Sequence, residues 1–223
     1  MEIPVPSLPG GTEPDWSIVS RAWWDAVDLI QKSEERGVFA VDMTLELRIM
    51  GGSEVVMAPQ HGNKHGTLAI EPVSTRIVHR GVWEDFKQEL AKTWMNYKDW
   101  DGTPLKSRVH WAKESPRSVH IDGEEIETLE YWQRLYQPNM AELFRQLAGL
   151  REGVSVADLH AVFSNHYLDQ LFRPHWLQAG VELERREDPG LVVDRARGPP
   201  GNQSKASETA EESETSSACC TLS

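Results

Sequence analysis

Cysteine is nearly missing from this chain: there are two, and both sit within five residues of the end, at Cys219 and Cys220. From there they cannot form a disulfide framework or a cysteine-based metal site around a core. Long apolar runs are also missing, since none approaches the ~20 residues needed to span a bilayer as a helix. The opening MEIPVPSLPGGTEPDW has neither a basic start nor an apolar centre, so it does not read as a secretory signal. The expected location is cytoplasmic. Cations are in deficit, with 23 Lys and Arg against 35 Asp and Glu and a net charge of −12. Phosphate backbones are bound through clustered Lys and Arg, so the balance argues against nucleic acid as a partner.

What is present fits one folded domain with a tail. At 223 residues the chain can bury a sizeable core but is short for two full domains. From Gly198 onward Ser, Thr, Glu, Gly and Pro dominate, and almost no apolar side chain appears before Leu222. That composition does not repay the entropy of ordering, so residues 198–223 are expected to be a disordered tail. Residues 1–15, with four prolines and the Gly10-Gly11 pair, are expected to be an irregular lead-in. The domain itself is expected over 16–197.

Within it, helical and extended patterns alternate. Ile18, Val19, Ala22, Trp23, Val27 and Ile30 recur at helical spacing and end at Gly37. From Val38 to Ile49 the chain alternates, with Val41, Met43, Leu45, Leu47 and Ile49 on one face and Asp42, Thr44, Glu46 and Arg48 on the other. Further strands are expected at Glu54–Ala58 and Thr67–Val73, with a Gly-rich turn between them. Val82, Trp83, Phe86, Leu90, Trp94 and Tyr97 predict a second long helix. Asn139 followed by Glu142 has the form of a capping box that opens a third. An amphipathic stretch from Leu159 to Phe172 predicts a fourth. The expected class is α+β, an antiparallel sheet covered by helices.

Two features carry candidate chemistry. Glu46 and Arg48, two apart on a strand, project to one face about 7 Å from each other. A carboxylate accepts from hydroxyls and a guanidinium donates in a fixed fork, so the pair suits a polyol. The same residues also fit a solvent-exposed sheet face with weak ion pairing. The second feature is His110-Trp111-Ala112-Lys113, where a lysine could stabilise developing negative charge, although a Lys or His beside a Trp is commonly packing with a solvated tip.

The segments LELRIMGGSEVVMAPQHGN, GTLAIEPVS, VHWAKE and VFSNHYLDQLF occur in the same order as blocks in the C-terminal halves of sugar-1,4-lactone and alditol oxidases. From about Leu45 to Phe172 the chain therefore resembles the cap, or substrate, half of the FAD-dependent oxidases of the vanillyl-alcohol-oxidase type. The resemblance implies FAD as cofactor and a D-arabinono-1,4-lactone-like or alditol substrate. It implies Glu46 and Arg48 as substrate contacts, Lys113 and His110 beside the flavin, and Glu71 as a further substrate-lining residue. No counterpart of the family's Gly-rich pyrophosphate segment precedes Leu45. Activity would therefore need a flavin domain from a partner chain or from coding sequence upstream of Met1. A non-catalytic binding or scaffold protein built on the same domain stays open as the second reading.

The chain ends Cys220-Thr221-Leu222-Ser223, a C-a-a-X pattern whose final Ser favours farnesyl, with Cys219 as a neighbouring palmitoylation site. Two lipids would be needed for peripheral membrane residence, because the acidic tail offers no polybasic support. A chance ending is the competing explanation.

Overall fold

The computed structural model describes residues 1–111, 113–149 and 153–183. Cys219, Cys220 and the 197/198 boundary lie outside the described residues. Helix α1 (Ser17–Glu35) buries Ile18, Ala22 and Ala26 in one stripe, as its spacing predicts. It stops at Gly37, whose φ of 73° is open to glycine at little cost. There the N–H groups of Gly37 and Val38 donate to the carbonyls of Glu34 and Ser33, at 2.8 and 2.9 Å, and close a Schellman cap.

Strand β1 (Glu2–Pro4), β2 (Thr44–Met50) and β3 (Thr67–Val73) form an antiparallel sheet in the order β1-β3-β2. Helix α2 (Arg80–Met95) is capped by His79, whose Nδ1 accepts from the Gly81 N–H at 3.2 Å. Ile3, Leu68 and Ile70 of the sheet share a core with Ile18, Ala22 and Ala26 of α1 and with Phe86, Leu90 and Trp94 of α2. The α+β class, with an antiparallel sheet covered by helices, is thus the observed one.

A hairpin follows, β4 (Ser118–Ile121) and β5 (Glu124–Glu127), turned by Asp122-Gly123 with both residues at positive φ. Asp-Gly in that conformation is the turn that matches hairpin twist. Helix α3 (Thr128–Gly149) packs Tyr131, Trp132, Tyr136 and Met140 into a second core with Val119 and Ile126. The short helices α4 (Val156–Phe163), α5 (His166–Leu171) and α6 (Arg173–Gln178) complete the described chain. None of the helices among the described residues is long and apolar enough to cross a membrane.

Several expectations need correction. Residues 1–15 are no irregular lead-in: Glu2, Ile3 and Val5 are buried, and β1 pairs along β3. Pro4 is tolerated because β1 is an edge strand of the sheet, where a missing N–H breaks no second ladder. The strand expected from Val38 starts only at Thr44. Glu54–Ala58 is a turn rather than a strand, with Met57 at φ 70° and Val55 exposed. Asn139 caps nothing, because α3 begins eleven residues earlier at Thr128 and runs through Pro138. A capping box does form at Ser155 and Asp158, where it opens α4. The single helix expected from Leu159 to Phe172 is broken at Ser164 and Asn165, the latter capping α5 through the Leu168 N–H.

The approach of β3 to β2 depends on Gly66. Its φ is +104°, and a Cβ placed there would lie 2.7 Å from the Met50 carbonyl oxygen. Both the conformation and the contact penalise a side chain. Gly66→Ala is expected to destabilise the fold by about 1–3 kcal/mol, measured by urea unfolding at unchanged slope; a variant as stable as the parent would contradict this junction.

Candidate functional site

Register brings the first candidate residues together. On β2 and β3, Glu46 lies opposite Glu71 and Arg48 opposite Ala69, so all four share one sheet face. Arg48 Nη2 reaches Glu71 Oε1 at 2.6 Å, along the diagonal between neighbouring pairs. From a distant loop, Lys113 Nζ reaches the other oxygen, Glu71 Oε2, at 2.9 Å. One carboxylate therefore bridges two cations that are 65 residues apart in sequence. Burial alone would raise the Glu71 carboxyl, but the Lys113 hydrogen bond and charge, with Arg48 behind them, outweigh it and hold the group below its ordinary value.

The loop that supplies Lys113 is anchored by Trp111. Its Nε1 donates to the Met57 carbonyl at 2.8 Å, and its ring packs 4.7 Å from both Trp132 and Tyr136. A turn from the Lys113 N–H to the His110 carbonyl then sets the spacing of the two. The motif thus divides its work, with the tryptophan holding the loop on the second core and His110 and Lys113 reaching a cleft.

That cleft measures about 550 Å³ and is lined by Arg48, Glu71, His110 and Lys113 among others. Its other charged members were not singled out from sequence. Lys87 of α2 is buried, with its ammonium 2.9 Å from Glu114 and 3.2 Å from Glu84. Trp83 Nε1 donates to the same Glu114 oxygen at 2.7 Å. The Lys87 hydrogen bond, then that of Trp83, holds the Glu114 carboxyl below its usual range. Glu2 and Gln60 also line the cleft. A signal for Lys87 was available, because it interrupts the apolar stripe Trp83, Phe86, Leu90, Trp94. Nothing local marked Glu2.

Glu46 is the exception among the predicted residues. It is exposed, is absent from the cleft lining and joins no ion pair among the described residues. Arg48, Glu71, His110 and Lys113 converge; Glu46 stays on the open part of the same face. Among the described residues no group of three or more His, Cys, Asp or Glu could hold a metal ion.

The chain matches no protein-family model, no curated protein and no solved structure.

Proposed function

We propose that this chain is the substrate-side domain of an FAD-dependent oxidoreductase acting on the CH–OH group of a sugar lactone or polyol, with the flavin-binding half supplied by another chain or segment. The observation that carries the proposal is the convergence of Arg48, Glu71, His110 and Lys113, from three separate stretches of sequence, on one cleft of about 550 Å³. That volume lies within the range of small-molecule sites.

The residues fit one side of a flavin. Lys113 is 51% exposed at the cleft, and a cation there suits the negative charge a reduced ring carries near N1. The sequence has no G-x-G-x-x-G turn, so the pyrophosphate would have to be held by the other half. FAD, when bound, supplies the acceptor for a hydride from carbon.

The chain's own residues do the rest. The Arg48 guanidinium donates in a planar fork and can hold neighbouring ligand oxygens in a fixed orientation. Lys113 offers a point charge with rotatable donors to the oxygen at the reacting carbon. Glu71, kept ionised by its two cations, accepts from a hydroxyl and orients it. Its lowered pKa makes it a poor resting place for a proton, which assigns it to orientation rather than to general base catalysis.

Trp83 and Trp94 line the cleft, so binding is readable in tryptophan emission. Titrating the full chain with xylitol, D-sorbitol and an aldonolactone is expected to give a saturable change with at least one of them. Arg48→Ala and Lys113→Met are each expected to weaken it by about 10- to 100-fold, as when a hydrogen bond to a charged group is lost. No saturable change in the parent chain with any of the three would sink the proposal.

A further inference from the structure

We infer that Glu2, supported by Gln60, is a second substrate-binding element of this cleft, a buried acceptor that holds a ligand hydroxyl across Ala69 from Arg48. The inference rests on the polyol or lactone reading above and adds a residue outside the resemblance, which begins at about Leu45.

The first observation is a buried carboxylate with few hydrogen-bond partners. Glu2 is only 3% exposed. No Lys, Arg or His side chain among the described residues forms an ion pair with it. Its side-chain hydrogen bond comes from Gln60 Nε2 at 3.1 Å to one oxygen. The Met1 ammonium, which donates to the Ile70 carbonyl at 2.8 Å, acts on Glu2 through charge, but an ionised carboxylate offers about four acceptor positions, and burying one without full hydrogen bonding is unfavourable. Relaxation of the backbone would relieve it, but the backbone is held on both sides. The Glu2 N–H donates to the Arg108 carbonyl at 2.7 Å and the Arg108 N–H to the Glu2 carbonyl at 2.8 Å, while β3 holds the opposite edge.

The second observation is register. Glu2 and Arg48 both stand opposite Ala69, one on each neighbouring strand. With strands about 4.8 Å apart, their Cα atoms are separated by about 10 Å across a methyl side chain. Carboxylate, small residue and guanidinium thus form a row in which the smallest side chain is central, and all three line the cleft. A hydroxylated carbon chain laid over Ala69 would meet an acceptor at one end and a fork of donors at the other. An amine is a poorer occupant, because Arg48 and Lys113 outnumber Glu71 on the far side and repel a third cation.

Two variants of the full chain test this by the sorbitol titration, with Arg48→Ala beside them. Glu2→Gln keeps the shape and removes the charge; it is expected to weaken sorbitol binding by about tenfold or more and, without ligand, to raise the melting temperature, since an amide is less costly to bury. Ala69→Val fills the slot from β3 while leaving both charged residues in place, and is expected to weaken binding similarly. Sorbitol affinity unchanged in Glu2→Gln or in Ala69→Val, while Arg48→Ala loses it, would overturn the role of Glu2 and leave the polyol reading standing. A lower melting temperature with unchanged affinity would assign Glu2 to structure alone. Failure of the parent chain to bind sorbitol, xylitol or the aldonolactone would remove the polyol reading and this inference together.

Discussion

Trp94→Ala is expected to reduce the unfolding free energy by about 3–5 kcal/mol, the range for emptying a buried aromatic site. Trp94 is 1% exposed and lies where α1, α2 and the sheet meet. Its Nε1 donates to the Ala22 carbonyl of α1 at 3.2 Å, and its own carbonyl accepts from Ser107 Oγ at 2.9 Å. The substitution therefore removes a ring and an interhelical hydrogen bond at once. Single domains are commonly stable by 5–15 kcal/mol, so the loss is a large fraction of the whole. Because Trp94 also lines the cleft and α2 carries Trp83 and Lys87, ligand binding should fall with it. Urea unfolding followed by far-ultraviolet circular dichroism measures the loss, and a change below about 1 kcal/mol would show that α2 is not held by this residue.

Such a central role for Trp94 follows from periodicity, and the elements with strong periodicity are those the sequence makes legible. α1, α2 and β3 each have a strong pattern, and each is found within a few residues of its expected span. Where tertiary context overrides local pattern, legibility fails. The prolines of residues 1–15 read as irregular chain, yet an edge position for β1 lets Ile3 fill the core. Asn139 and Glu142 read as a helix start, yet burial of Tyr136 on one side and Met140 and Phe144 on the other carries α3 through that point. β4 and β5 have only four residues each, and β5 buries one of them, too little for an alternating pattern to stand out. Their Asp122-Gly123 turn was the readable trace.

The site divides in the same way. Strand alternation alone puts Glu46 and Arg48 on one face, but only register shows that Arg48 reaches Glu71 while Glu46 sits opposite a like charge. Lys113 and Glu71 meet across 42 residues of chain, which no local pattern encodes. Lys87 broke an apolar stripe and could have been noticed. Glu2 carries no local signal, because its burial follows from pairing with β3 and with Arg108.

Glu71→Ala should weaken ligand binding at least as much as Arg48→Ala or Lys113→Met, by about 10- to 100-fold. Two consequences add: a hydroxyl acceptor is lost, and Arg48 and Lys113 are left as neighbouring like charges with nothing between them. Glu71→Gln separates these effects by keeping the shape. The folded-state pKa of Glu71 is depressed, so its contribution to stability is present above the unfolded value of about 4.3 and is lost as pH falls through the lower folded value. The parent should therefore exceed Glu71→Gln in stability at neutral pH, and the margin should vanish in acid as pH falls through the folded value. Arg48 is 60% and Lys113 51% exposed, so solvent screening keeps that margin near 1 kcal/mol, and added salt should shrink it. Binding of a polyol should follow the same pH course in the parent and be flat in the variant. Equal stability of the two proteins at neutral pH, or a margin that persists in strong acid, would mean that the Arg48–Glu71–Lys113 bridge does not hold this cleft.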